Sequence, residues 1–437
     1  MDALQPNLVT PNQDVNGSNR SGVRAALRVA PSERFSVTPR IVYQRVKADG
    51  WNRIDDFNIL ANPFTTTRPA VTLDERELFT QIAEPFTDDF LLTDLNLRYD
   101  FAGVSLTSIT SYTNRDILVV RDAGALTSSI TGGSIGLSEQ VFTLDSPLDD
   151  ATSAEVWTQE VRLSGDLADR VRWLVGGFYT NIQRDYGQSL LVFRSDELAA
   201  AELGLPLGWT KGLRAQVDEL FFSDLSYDLE QFAAFGEGTV SLTDRLDLTA
   251  GLRYYNFDES REQIFDGIFG NDDNGNSLVS QPGSIDADGL APRFIASYKA
   301  SDAVTLNAQA SRGFRLGGIN DPLNVPICTP EDLATFSGRE TWEDETAWNY
   351  EVGAKSRVFG GRASINVSAF YMDISDIQLT TTAGSCSSRI IFNVDKARSR
   401  GVEVEVTASP SENFDFSVST ALNDSELLST ILSAGKP

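Results

Sequence analysis

Alternation of apolar and polar residues with period two runs through most of the chain, and it limits the fold to β-sheet. Val402-Glu403-Val404-Glu405-Val406-Thr407 alternates, as do Phe414-Asp415-Phe416-Ser417-Val418-Ser419 and Ala363-Ser364-Ile365-Asn366-Val367-Ser368-Ala369. Val304-Thr305-Leu306-Asn307-Ala308-Gln309-Ala310 and Leu246-Asp247-Leu248-Thr249-Ala250-Gly251-Leu252-Arg253-Tyr254 repeat it. Side chains two apart share a sheet face, so each segment has one apolar and one polar side. About 14 such strands are expected, at 20–30, 35–46, 89–100, 104–121, 153–164, 170–187, 226–242, 246–260, 289–299, 304–314, 345–358, 362–378, 396–408 and 414–425. Helical spacing is weak except around Asp196–Leu203.

The connections between these strands alternate in length. Short ones lie near Pro31-Ser32-Glu33, Ala102-Gly103, Gly165-Asp166, Thr243-Asp244, Ala300-Ser301-Asp302, Gly360-Gly361 and Pro410-Ser411-Glu412. Long ones occupy about 47–88, 122–152, 188–225, 261–288, 315–344 and 379–395. Antiparallel strands with turns at one end and long loops at the other describe an up-and-down sheet. Many strands also reach the roughly 9–11 residues needed to cross a bilayer at a tilt. No apolar run is long enough for a membrane helix, so a membrane form of this chain is a closed barrel, which satisfies its own backbone. Tyr43, Tyr99, Tyr112, Tyr179, Tyr254, Tyr298, Trp348 and Tyr371 fall near strand ends or share the apolar parity of their strands, as interfacial girdles require. A soluble β-sandwich produces the same alternation and keeps its aromatics in the core.

Composition narrows the function. The 437 residues carry 62 Asp+Glu against 36 Lys+Arg, a formal charge of −26, which argues against nucleic acid as a partner. Histidine is absent, which removes the commonest general base and the usual zinc or haem ligand. Neither Asp373 with Asp376 nor Glu155 with Glu160 converges, because odd separations on a strand point to opposite faces. No G-x-S-x-G nucleophile elbow is present, so no catalytic residue and no cofactor is assigned and the chain is not read as an enzyme. The run Asn271-Asp272-Asp273-Asn274-Gly275-Asn276 fails as an EF-hand, because aligning Gly275 on the loop glycine puts Gly270 at the first ligand and Gln281 at the last. No metal site is assigned. Cys328 and Cys386 lie in consecutive long loops at the same end of adjacent hairpins, where an oxidising exterior would permit a disulfide.

Five segments resemble one family. Ser311-Arg312-Gly313-Phe314-Arg315-Leu316-Gly317-Gly318-Ile319-Asn320 is similar to the S-K/R-G-F-R-x-G-G-x-N segment of TonB-dependent outer-membrane receptors. Glu345-Thr346-Ala347-Trp348-Asn349-Tyr350-Glu351-Val352-Gly353-Ala354-Lys355 and Ala397-Arg398-Ser399-Arg400-Gly401-Val402-Glu403-Val404-Glu405 resemble the strands that follow it in that family. Upstream, Trp157-Thr158-Gln159-Glu160-Val161-Arg162-Leu163 and Ala250-Gly251-Leu252-Arg253-Tyr254 resemble its Q-E-x-R-L and A-G-x-R-Y strands.

The resemblance implies an all-β, transmembrane, antiparallel up-and-down barrel of an expected 22 strands, of which about 14 lie in residues 1–437. The segment then reads as part of a receptor barrel, with roughly two strands before residue 20, about six after residue 425, and the plug domain and TonB box outside these residues. The implied function is TonB-dependent uptake of a scarce ligand, such as a ferric siderophore or other metal chelate, across the outer membrane of a Gram-negative bacterium. The implied partners are outer-membrane lipid, the TonB complex acting through the plug, and the small-molecule ligand. The alternatives are a passive porin-like or structural barrel and a soluble carbohydrate-binding β-sandwich. Arg312 and Arg315 are candidate contacts for an anionic ligand, with pairing to local carboxylates as the alternative. Trp342, in the acidic stretch Trp342-Glu343-Asp344-Glu345, is the third candidate contact, against a plain solvated rim. Isolated, such an open barrel is expected to aggregate through its unpaired edges.

Overall fold

The computed structural model describes residues 14–52, 78, 80–124, 127, 135–138, 140–141, 144–270, 279–280, 283–386 and 388–429. The acidic runs Asp55-Asp56-Phe57 and Asn271–Asn276 lie outside the described residues. The strands in chain order are β1 (Ser18–Ala26), β2 (Val29–Ser32), β3 (Phe35–Ala48), β4 (Phe86–Asp100), β5 (Val104–Asp122), β6 (Pro147–Leu167), β7 (Val171–Leu191), β8 (Glu219–Thr243) and β9 (Leu246–Asp266). They continue as β10 (Val279–Ser280), β11 (Gly283–Ser301), β12 (Val304–Arg315), β13 (Gly318–Ile319), β14 (Thr341–Trp342), β15 (Glu345–Val358), β16 (Ala363–Thr382), β17 (Arg389–Ser411) and β18 (Phe414–Leu427). Fourteen form one antiparallel path, β1-β3-β4-β5-β6-β7-β8-β9-β11-β12-β15-β16-β17-β18, with β2 and β10 paired onto β3 and β9. β13 and β14 make a separate two-stranded sheet. One continuous sheet replaces the two packed sheets of the sandwich alternative.

The short turns follow from local backbone chemistry. Between β6 and β7, Ala168 and Asp169 both take positive φ (52° and 50°), the conformation of a tight hairpin whose twist suits its strands. Between β4 and β5 the left-handed position is Gly103, at φ 84°.

Following the register from strand to strand separates two faces. On the outer face Val240 pairs with Leu248, Leu248 with Ala296, and Ala250 with Phe294, which pairs with Ala310. Leu95, Val161, Val175, Leu252, Leu306, Val352 and Val402 are exposed on that face. So extended an apolar surface is untenable in water and is what hydrocarbon requires. Aromatics bound the band on both sides. On the loop side stand Tyr43, the Tyr112–Trp157 pair at 4.9 Å, Tyr179, Tyr254, and Tyr350 paired with Tyr371. On the turn side stand Phe35, Tyr99, Phe101, Tyr298, Phe414 and Phe416. From Leu246, opposite Tyr298, to Tyr254 is eight residues. At ~3.4 Å per residue and a tilt of ~40° this rises roughly 20–25 Å, the height of an outer-membrane apolar belt.

Above the loop-side aromatics the outer face turns charged. Arg45 meets Asp89 at 3.3 Å, Arg400 meets Asp424 at 2.8 Å, and Arg398 pairs with Glu426. The membrane boundary therefore lies there, and strand residues beyond it stand in water. The inner face carries the polar pairs: Arg40–Asp94 (2.5 Å) and Arg115–Asp88 (2.7 Å) cross neighbouring strands, and Ser111 bonds Thr158.

At the loop end, long connections fold into a cap. Ala123, Leu137, Val141, Leu190, Val192, Ala199, Leu220 and Phe269 form its buried cluster, with Trp209 and Ile327 packed against it. Its helix, Ser195–Leu203, starts from Arg194 in the left-handed region, and Asp218 supplies the missing cap by accepting N–H bonds from Arg194 (2.9 Å) and Asp196 (2.8 Å). Asp196 accepts from the backbone of Gly208 (2.6 Å) and Thr210 (3.0 Å) and from the Thr210 hydroxyl (2.9 Å). Burial alone would push that carboxyl up, but these donors together hold it below its ordinary value. Among the described residues no helix is long and apolar enough to cross a membrane.

Candidate functional site

Three inner-face residues stand side by side where the wall rises above the membrane: Arg184 on β7, Tyr227 on β8 and Arg261 on β9. The Arg184 guanidinium lies over the Tyr227 ring, 4.0 Å from its centroid, and that of Arg261 lies 5.9 Å from the same ring. Two residues further along β9 on the same face, Gln263 is 1% exposed.

The connection from β12 to β15, residues 316–344, crosses this patch as a strap. Arg261 Nη1 donates to the carbonyls of Ile319 (3.1 Å) and Asn320 (2.6 Å) and to the Asp321 carboxylate (3.3 Å), to which the Tyr227 hydroxyl also donates (3.2 Å). On the far side, Asn320 donates to the Ile391 carbonyl (2.6 Å) and accepts from the Ile391 N–H (2.7 Å). Ile319–Asp321 thus touches both β9 and β17, which are five strands apart in the sheet. A flat sheet would separate them by ~24 Å, so the wall curls around the strap.

Further contacts set the strap's height. Gly317 N–H donates to Asp344 (2.7 Å), whose other oxygen accepts from the Tyr255 hydroxyl (2.7 Å). Tyr255 stacks on Phe314 with ring centroids 3.6 Å apart. The neighbour of Tyr255 across the ladder is Gly289, where a Cβ would come 2.5 Å from the tyrosine oxygen, so glycine is what lets the ring lie flat along the wall. The β11–β12 ladder stops at Arg293–Ser311, and beyond it β12 follows β15 alone.

Charge is balanced but poorly satisfied. Arg261 is 4% exposed, and its Nε has no hydrogen-bond partner, nor has either amide atom of Gln263. Buried polar atoms are rarely left so. Burial pushes the Asp321 carboxyl up, against Arg261, the Tyr227 hydroxyl and Arg184, which pull it down. The Asp321 side chain is 44% exposed, so protein surrounds it without sealing it. Glu259, on the same face of β9, is likewise pushed up by burial against Arg184 and Arg261.

The residues singled out by motif do not join this patch. Arg315 pairs with Glu345 at 2.5 Å and donates to the Gln378 carbonyl (3.0 Å). Arg312 faces Trp348 in the ladder and donates to Leu290 O at 3.4 Å. Trp342 lies in the β13–β14 pair, its indole against Gly318 and its buried Nε1 without a partner. What ties this region together is Gln378, whose amide nitrogen donates to the carbonyls of Leu316 (2.8 Å) and Glu343 (3.1 Å). Sequence reasoning missed Gln378, and it missed Arg261 by ending that strand at 260. Continued alternation through Tyr255, Phe257, Glu259, Arg261 and Gln263 was the available signal.

Cys328 and Cys386 are joined by a disulfide that ties the strap to the β16–β17 loop, beside Ala383, Ile390, Leu323 and Phe336. Asp332 reinforces this junction, accepting from the Ser385 hydroxyl (2.6 Å) and N–H (2.8 Å) and from the Thr329 hydroxyl (3.0 Å). These donors hold the Asp332 carboxyl below its ordinary value of 3.8. A carboxyl depressed in the folded state stabilises above its unfolded value, and that stabilisation is lost as pH falls through the folded value. Hydrogen exchange at Ser385 is therefore expected to stay slow from neutral pH down to about 4 and to rise relative to intrinsic rates below it. Asp332→Asn should flatten that profile.

The comparisons with known proteins agree with this architecture. A family model described as TonB dependent receptor-like, beta-barrel, matches residues 12–433. The pesticin receptors of Yersinia enterocolitica and Yersinia pestis are 26% identical over 204 residues, covering 45% of this chain and 27% of theirs. The ferric yersiniabactin uptake receptor FyuA from Yersinia pestis superposes with a TM-score of 0.66 at 17% identity, over 94% of this chain and 52% of that one. The siderophore receptor PiuA from Acinetobacter baumannii does so with a TM-score of 0.65 at 13% identity, over 96% of this chain and 58% of that one. The chain thus spans about half the length of the solved receptors it resembles and about a quarter of the curated ones. Matched by the model over nearly its whole length, the chain belongs to the TonB-dependent receptor β-barrel family.

Proposed function

We propose that this chain is the barrel portion of an outer-membrane receptor that takes up a metal chelate, a ferric siderophore in the first instance, in a Gram-negative bacterium. The plug that TonB would pull is, on this reading, a separate part of the same receptor. The observation that carries it is the pairing of a lipid-facing apolar belt with a polar interior in which Arg184, Tyr227 and Arg261 meet the strap above the membrane. A chelate entering from the loop side would reach that patch before the membrane-spanning part of the lumen. Yersiniabactin uptake by FyuA supports the ligand class, since that protein shares the fold.

The test is uptake of radiolabelled ferric citrate and ferric catecholate by cells carrying the intact gene, a deletion of it, or a deletion of TonB. Uptake of one chelate that is lost in both deletions is the expected result. Uptake that depends on the gene but persists without TonB would overturn active transport in favour of the passive, porin-like alternative.

A further inference from the structure

Four features of the Arg184–Tyr227–Arg261 patch go beyond a chelate receptor of unspecified chemistry. The cations lie on either side of one tyrosine ring, and its hydroxyl donates to a carboxylate. That carboxylate, Asp321, comes from the strap and not from the wall. Its ionised form is weakly held, because burial opposes what Arg261, Tyr227 and Arg184 supply. Arg261 Nε and the Gln263 amide, buried beside it, have hydrogen-bonding capacity that nothing in the protein uses.

We propose that Arg184, Tyr227 and Arg261 form a binding site for a carboxylate group of an anionic ligand, and that Asp321 occupies this site as an internal stand-in until the ligand displaces it. The inference rests on the uptake reading and gives its site a ligand class. Exchange of one carboxylate for another keeps a counter-ion beside the buried Arg261 at every stage. A polydentate ligand gains what Asp321 lacks, because further oxygens would reach Arg261 Nε and the Gln263 amide. Displacing Asp321 removes one of the contacts that hold Ile319–Asp321 against β8 and β9, so binding loosens the strap on that side. The Asn320 bonds to Ile391 and the disulfide keep it attached on the other.

The experiment measures amide hydrogen exchange over residues 317–324 in the full chain in detergent micelles, titrated with citrate as a tricarboxylate probe. Citrate is expected to speed exchange there saturably. Asp321→Asn should exchange fast without citrate and bind it about tenfold more tightly, since the competing charge is gone while the side-chain shape remains. Arg184→Gln, which removes a cation that makes no bond to the strap backbone, should weaken citrate binding about tenfold. Exchange that citrate leaves unchanged, or an Asp321→Asn variant that binds citrate no better than the natural chain, overturns the proposal. The assay involves no TonB and no transport, so its outcome is separate from the uptake test.

Discussion

Phe294→Arg is expected to lower the stability of the lipid-embedded barrel by about 2–4 kcal/mol, the cost of a cation near the bilayer midplane on a lipid-facing position. Phe294 is 52% exposed and pairs with Ala250 and Ala310 halfway between the two aromatic rows. Reversible urea unfolding in lipid vesicles would measure the loss. The paired control is Gln309→Arg, one position along the neighbouring strand and on the inner face. Gln309 already bonds Glu351 at 3.1 Å, so an arginine there finds a carboxylate and water, and the change should stay within about 0.5 kcal/mol. Equal losses for the two variants would contradict the assignment of faces, and with it the location of the membrane.

Asp266→Ala tests the loop cap instead of the wall. Asp266 is fully buried at the end of β9 and accepts backbone N–H bonds from Arg214 (2.5 Å) and Ala215 (2.8 Å). Removing the carboxylate strands both donors, at about 1–3 kcal/mol each. The loss should appear as faster hydrogen exchange over residues 205–218, with the β7–β8 ladder below Arg184 unchanged. Loss of protection through that ladder would mean that cap and wall unfold as one unit, contrary to the expectation for loops above a sheet.

The strand path was legible in the sequence because lipid imposes alternation. Inside the belt the outer face is apolar and the inner face polar, and the turn-side ends of β5, β9, β12, β15 and β18 stand at the positions expected from alternation. The loop-side ends were set too short: β8 begins at Glu219, not 226, β6 at Pro147, not 153, and β17 at Arg389, not 396. Above the membrane the alternation changes sides: in Asp224-Leu225-Ser226-Tyr227-Asp228 the outward residues are the polar ones and Leu225 and Tyr227 face inward, so the lipid-facing parity no longer marks the strand. The site suffered for the same reason. Arg184, Tyr227 and Arg261 sit in that upper wall, far apart in sequence, and the register alone brings them together. Motif similarity pointed instead to Arg312 and Arg315, whose segment does structural work around Gln378.

The tall upper wall has an electrostatic consequence. Arg261 faces Tyr227, and β8 continues eight residues beyond that point, to Glu219. At ~3.3 Å per residue and a tilt of ~40° the rim stands roughly 20 Å above the site. The Debye length in physiological salt is ~8 Å, so charges on the rim are screened by more than two such lengths. The formal charge of −26 therefore governs how the molecule repels its neighbours in the membrane plane. An anion that has descended to Arg261 is no longer subject to it, and answers to the few groups within its own ionic atmosphere.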